Sequence, residues 1–392
     1  MVAIARGSAP PRGLSSAAKL YLRPLTPFPA AAAPDVLESG AAASLAAGPF
    51  AFRDCEILWR TADGRVGRSR APLDAVRGWA RSPSDPAAAR LAAILERLTA
   101  PRSAPAGLAL DGSRGTPLVM GVVNATPDSF YAASRHADAA AAVAHGRALA
   151  AAGADILDVG GESTRPGATP VDPATELARV RPVVAALAGD EGPPVSIDSR
   201  RAEVMAGAIA AGATIVNDVS ALTHDSESLA LVARAGVPAI LMHSRGEPAT
   251  MQRDPTYDHV LLDVYDYLED RVAACEAAGI PRSRLVLDPG IGFGKTLDHN
   301  LALLGGIALL HGLGCPLLVG ASRKSLIGRL AERLGLAPGA PAAEARLPGS
   351  LALALWSASQ GVQMLRVHDV AETRQALAAW AAVALYAADG GE

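Results

Sequence analysis

From residue 118 onward, short continuous apolar runs alternate with longer Ala-rich segments of helical period. The runs are 118–124 (LVMGVVN), 156–161 (ILDVGG), 194–198 (PVSID), 214–218 (TIVND), 238–243 (PAILMH), 284–289 (RLVLDP), 316–322 (PLLVGAS) and 362–368 (VQMLRVH). Their apolar positions are consecutive rather than alternating, which is the pattern of strands covered on both faces. A glycine precedes many of them (Gly153, Gly212, Gly236, Gly279, Gly314, Gly361), where a left-handed cap would end a helix and turn the chain back. Eight such strands with helices between them predict a (β/α)8 TIM barrel. A doubly wound sheet is the alternative, but no G-x-G-x-x-G follows the first run.

Ahead of residue 118 this rhythm is absent. Residues 1–20 lack acids and a hydrophobic signal core, and read as a disordered tail. Residues 21–115 read as a small α+β accessory region and linker, the stretch 101–117 being rich in Pro, Gly and Ser. The barrel is expected over 116–388.

Composition narrows the function. The chain has 392 residues, enough for a barrel with an appendage. With 36 basic and 39 acidic residues and no block of one sign, neither nucleic acid nor a membrane surface is an expected partner. No apolar stretch is long enough to span a bilayer. Three scattered cysteines, Cys55, Cys275 and Cys315, make neither a disulfide framework nor a zinc site. A cytoplasmic protein is expected.

One bias is sharper. Only Lys19, Lys295 and Lys324 are lysine, so 33 of the 36 basic residues are arginine, and only Asn124, Asn217 and Asn300 are asparagine. Lysine is a compact point charge and arginine a rigid fork. Lysine in so arginine-rich a chain therefore suggests sites where an ammonium is specifically useful.

The strand ends carry the chemistry. In chain order they present Asn124; Glu162 with Ser163; Asp198; Asn217 with Asp218; Met242 with His243; Asp288; Ser322, Arg323 and Lys324; and Arg366 with His368. In a barrel all of these meet at one rim, where the active site is built. Any single one could merely cap a helix. Eight in register could not.

The strings GVVNATPDSF, GGESTRPGA, SIDS, NDVSAL, MHSRGEPATMQ, LDPGIGFGKT, GASRKSLIG and RVHDV occur in that order between residues 121 and 370. Together they resemble the dihydropteroate synthase family, the folate-pathway enzymes inhibited by sulfonamides. The resemblance implies condensation of 6-hydroxymethyl-7,8-dihydropterin diphosphate with p-aminobenzoate, releasing diphosphate. It implies pterin contacts from Asp198, Asn217, Met242, Asp288 and Lys324, and p-aminobenzoate contacts from Phe130, Thr164, Arg165, Pro166 and Ser325. Asn124 is the implied Mg²⁺ ligand, and Asn124, Arg165, Lys324, Arg366 and His368 are the implied catalytic set, with a homodimer as the assembly. The residue chemistry agrees, because a pterin edge is rich in donors that suit carboxylate and amide acceptors. A diphosphate leaving group suits basic groups and a divalent metal.

Two features depart from that pattern. Ala132 stands where the family carries an aspartate, within YAASRH, and Asp138 or Glu162 is a possible replacement carboxylate. RLPGS (346–350) replaces the more usual Gly-Thr form. A weakly active or non-catalytic pterin-binding paralogue, or a folate-binding methyltransferase-type barrel, are the alternative readings. GFGKT does not complete a phosphate-binding loop, since Pro289 occupies the position of the first glycine.

Overall fold

A computed structural model describes residues 14, 18–82, 87–103, 105–110, 115–125, 134–162, 171–189, 192–246, 250–337 and 339–386. Eight parallel strands form the predicted barrel: β1 (Leu118–Asn124), β2 (Ile156–Gly160), β3 (Val195–Asp198), β4 (Ile215–Asp218), β5 (Ala239–Met242), β6 (Leu285–Asp288), β7 (Leu318–Val319) and β8 (Met364–Val367). Their hydrogen-bonded order is 6-5-4-3-2-1-8-7. Between β6 and β7 the ring is closed by one bridge, Leu287 to Leu317, and by the Leu287 amide donating to the Pro316 carbonyl over 2.9 Å. Helices α1 (Ser134–Ala151), α2 (Pro173–Leu187), α3 (Ala202–Ala210), α4 (Ser228–Ala235), α5 (Val260–Ala277), α6 (Leu297–Gly306), α7 (Ser325–Arg333), α8 (Leu347–Ser359) and α9 (Val370–Tyr386) accompany the strands.

Period two along each strand divides the barrel interior into a dry floor and a polar mouth. Leu118, Met120, Ile156, Ile215, Ile240, Val286, Leu318 and Met364 pack together as the floor. Two residues further along β2, β4, β6 and β8, the same inward row reads Asp158, Asn217, Asp288 and Arg366. The alternate positions, such as Val119, Leu157, Ile197, Val216 and Leu241, join the helices in the main core. One strand thus supplies both core and chemistry.

The region read as tail and linker is more ordered than its composition suggests. A strand begins at Lys19, inside the supposed tail, and pairs as Lys19–Leu25 with Asp54–Arg60, which pairs with Val66–Pro72. This antiparallel sheet and two helices (Leu73–Ala80, Ala88–Thr99) enclose a second core around Leu22, Phe52, Ile57, Leu91 and Leu98. The unit rests on the barrel. Phe50 stacks on Trp380 of α9 at 5.8 Å, and Arg102 donates to the His311 carbonyl at 3.0 Å. Within the supposed linker, Ala106, Leu108 and Leu110 pack against the barrel floor. Apolar side chains spaced two apart outweigh the Pro and Gly around them.

Candidate active site

The centre of the mouth is an arginine shared by two acids. Arg366, near the end of β8, donates through Nε to Asp158 at 2.6 Å and through Nη2 to Asp198 at 2.8 Å. Asn217 on β4 donates its Nδ2 to the same Asp158 oxygen at 3.0 Å. Asp158 is wholly buried. It belongs to no candidate set drawn from the sequence, because it lies inside the apolar run ILDVGG rather than at its end. The signal was available: Ile156 and Asp158 are two apart and therefore share a face.

These partners orient the ligand-facing atoms. With Nδ2 occupied, Asn217 has its Oδ1 left to accept among the described residues. Burial, with Asp158 close by, pushes the Asp198 carboxyl up to about 7 against the pull of Arg366. Two neighbouring carboxylates hold Arg366 firmly charged despite burial.

Across the mouth, Asp288 ends β6 and is buried, and its Oδ1 accepts the Gly290 amide at 2.7 Å. Burial raises its carboxyl, with Lys324 and the Gly290 amide pulling the other way. Lys324, at the N-cap of α7, donates to the Ile291 carbonyl and lies 4.6 Å above the Phe293 ring. Burial lowers its ammonium to about 8, although Asp288 favours the charge. Lys324 and Arg366 lie side by side over Gly320, where an added Cβ would be in ordinary contact with both, 3.6 Å from Arg366 and 3.8 Å from the Lys324 Nζ.

The remaining expectations divide. Met242 is buried at the end of β5, and Asn124 is exposed at the end of β1. His368 lies beyond β8 with its Nδ1 3.1 Å from the Ser322 hydroxyl, tying the two strand ends together. Asp369 pairs with Arg323. Ser325 is exposed at the start of α7. Phe130, Ala132, Thr164, Arg165 and Pro166 lie outside the described residues, as does the side chain of Asp138.

Glu162 does not supply a free carboxylate in place of the aspartate absent at position 132. It accepts from Arg201 at 3.0 and 3.1 Å and from the Val171 amide at 3.0 Å, with Arg200 3.4 Å away. Although burial would raise its carboxyl, those donors hold it below the ordinary glutamate value. Its charge is already spent on structure. Asp218 is likewise a turn residue, accepting from the Ser220 and Leu222 amides at 2.7 and 2.9 Å.

Comparison with known proteins agrees with this geometry. Residues 120–368 match the family model described as pterin binding enzyme. The dihydropteroate synthase of Escherichia coli K12 is 46% identical over 271 residues, covering 69% of this chain and 92% of that protein. A solved structure of Xanthomonas albilineans dihydropteroate synthase with 4-aminobenzoic acid shares 47% identity at a TM-score of 0.64, covering 72% of this chain and 98% of that one. Another from the same organism, in complex with 7,8-dihydropteroate, shares 42% identity at 0.61, with the same coverage. The chain belongs to the pterin-binding enzymes and, within them, to the dihydropteroate synthase family.

Proposed function

We propose that this chain condenses 6-hydroxymethyl-7,8-dihydropterin diphosphate with p-aminobenzoate to give 7,8-dihydropteroate and diphosphate. The observation that carries the reading is the acceptor set at the mouth. Asp198, the Asn217 Oδ1 and Asp288 converge from three strands, each held by a partner that fixes its orientation. Such a set fits the donor-rich edge of a pterin, and Lys324 faces its acceptor atoms. Met242 provides an apolar contact for the ring.

The reaction breaks the bond between the pterin methylene carbon and the bridging oxygen, whose electron pair leaves with diphosphate. The arylamine nitrogen donates its lone pair to that carbon and then loses a proton. Since the amine is unprotonated at neutral pH, the site needs electrostatic stabilisation more than a strong base. Asp158 and Asp198 hold the Arg366 plane, and its Nη1, without a partner among the described residues, remains for a phosphoryl oxygen. His368, beside Arg366 at the end of β8, is placed in this reading to add a second contact. Thr164, Arg165, Pro166, Ser325 and Phe130 form the proposed p-aminobenzoate side.

Mg²⁺ fits this donor set. Among the described residues no cluster of acidic, His or Cys side chains could enclose a metal. Asn124 offers a single hard amide oxygen, as suits an ion that keeps waters and takes most of its ligands from substrate phosphates. Held between Asn124 and the diphosphate, Mg²⁺ would offset charge on the leaving group. A cytoplasmic homodimer completes the reading. The three buried free cysteines and exposed Leu334, Leu336 and Trp356 are compatible with it.

Diphosphate release that requires both substrates and Mg²⁺, with rescue of a strain lacking the synthase, tests this directly. Tight pterin binding without turnover or rescue would replace the enzyme with a pterin-binding protein.

A further inference from the structure

Lys295 stands apart from the acceptor set, yet it is among the largest fully buried side chains, at 1% exposure. Its Nζ lies 2.9 Å from the Gly290 carbonyl, 3.0 Å from that of Phe293, 3.2 Å from that of His243 and 2.9 Å from the His243 Nδ1. Three carbonyls and a ring nitrogen surround one point, enough to occupy all three N–H donors of a lysine head group, a geometry that a planar fork does not fit.

Every carbonyl of the loop it pins has a side-chain partner. Along 290–294 the carbonyl of Gly290 goes to Lys295, Ile291 to Lys324, Gly292 to Gln252, Phe293 to Lys295 and Gly294 to Tyr257. The Gly292 amide goes to Asn300 Oδ1 at 2.7 Å. Gly290, Gly292 and Gly294 have φ of +67°, +85° and +61°, and a Cβ on Gly290 would lie 1.8 Å from the His243 carbonyl oxygen. The loop therefore lies flush against the segment after β5 and can adopt this path only with glycine.

Lys324 is held by this loop through the Ile291 carbonyl, between the two points that Lys295 grips, and the ring of Phe293, at the second of them. We infer that Lys295 is a positioning residue for the pterin site: it locks the 290–294 loop so that Lys324 presents its ammonium at a fixed point beside Asp288. This deepens the proposed function and rests on it. It also gives a role to a motif that the failed phosphate-loop match left unexplained.

The scarcity of lysine makes the test direct. In protein labelled with ¹³C at the lysine Cε there are only three lysine signals, from Lys19, Lys295 and Lys324. Variants Lys295→Met and Asn300→Ala each release the loop, the second leaving the Lys295 side chain in place and removing only a bond to its backbone carbonyl. Asp288, Asp198 and Arg366 act on Lys324 and are unchanged in both variants, whereas the Lys295 charge, which also acts on it, is lost only in Lys295→Met, so Asn300→Ala carries the titration test. We expect the Lys324 midpoint to rise from about 8 toward that of an ordinary lysine as water reaches it. Calorimetry with the pterin diphosphate should show affinity reduced roughly 10-fold or more in Lys295→Met and less in Asn300→Ala, with the KM for p-aminobenzoate within twofold. In a Lys324→Met background, Lys295→Met should cost little further affinity. A folded Lys295→Met with the Lys324 midpoint and pterin affinity unchanged would overturn the inference. If Lys295→Met does not fold, the same result in Asn300→Ala overturns it. A parent protein that does not bind the pterin at all would refute the proposed function, while the Lys324 titration would still decide whether Lys295 locks the loop.

Discussion

Two ionic clusters in this molecule behave in opposite ways. At the seam between the N-terminal unit and the barrel, Asp263, Asp266 and Glu269 line one face of α5. They meet Arg60, Lys19 and Arg90, with Lys19 2.7 Å from Asp266 and 2.9 Å from Glu269. Tyr21 adds its hydroxyl to Asp266 at 2.9 Å. Burial works against the charges here, yet the partners prevail: Lys19 is raised above the ordinary lysine value and Glu269 is lowered below the ordinary glutamate value. At the mouth Arg366 stays charged, but for three of its neighbours burial prevails. Asp198 and Asp288 are pushed up, and Lys324 is pushed down. Both regions contain acids and bases within contact distance. At the seam the partners suffice to favour the charges of Lys19, Arg60 and Glu269, whereas the mouth holds charges that a ligand would complete.

The comparison breaks most visibly if the mouth is neutralised. Asp198→Asn should cost roughly 100-fold in kcat/KM for the pterin substrate, about 3 kcal/mol, because an amide places a donor where an acceptor is needed. Asp288→Asn should cost about 1.5–3 kcal/mol in pterin binding by calorimetry. Neither should lower Tm, since the charge removed is one the fold disfavours. A clear fall in Tm with unchanged affinity would assign these acids to structure.

The seam predicts the reverse. Asp266→Asn weakens bonds to Lys19, Arg60 and Tyr21. It should cost about 1.5–3 kcal/mol of stability, a Tm drop of several degrees, with kcat/KM within twofold. Loss of activity without loss of Tm would link the N-terminal unit to catalysis.

Dependence on pH sharpens the contrast further. Pterin affinity should rise as Asp198 ionises near 7 and fall as Lys324 loses its proton near 8. Stability should follow the opposite course. With its pKa raised, Asp198 withdraws stability as pH climbs to about 7; with its pKa lowered, Lys324 restores stability only above about 8. The mouth's contribution to the unliganded fold should therefore be least where binding is tightest. Seam groups change little there, because Glu269 loses its contribution only at acid pH and Lys19 only at strongly alkaline pH. Denaturation across pH 5–9, repeated in Asp198→Asn and Lys324→Met, would show the dip and its removal.

The smallest expected effect concerns position 132. Ala132→Asp should raise kcat a few-fold with pterin affinity unchanged, as befits an interaction made only in the transition state. Glu162 cannot mask that gain, since Arg201 and the Val171 amide already hold it. Equal turnover in both proteins would show that another group stabilises the cationic intermediate.

The barrel was legible because its strands are buried on both faces and so appear as unbroken apolar runs. Acceptors at the ends of those runs, Asp198, Asn217 and Asp288, stood out for the same reason. Asp158 did not, because a single acid inside a run reads as an interruption until its register is known. Lys295 was set aside with a phosphate-loop pattern that fails at Pro289, and only three-dimensional contacts reveal the four acceptors around its ammonium. Leu108 and Leu110 were hidden by the flexible composition around them. In each case long-range packing gave the residue its meaning.

The packing of Ala106, Leu108 and Leu110 against the barrel floor also bears on where this chain can be cut. The family model matches residues 120–368, a shorter span than the 271 residues over which the Escherichia coli relative aligns, and a protein trimmed to that match is a tempting choice for expression. Such a cut removes part of β1 along with the stopper, and leaves Met120, Ile156, Ile240 and Met364 at an open end of the ring. The span of the family match and the folding unit do not share a boundary here. A truncation that respects the second must begin ahead of residue 105.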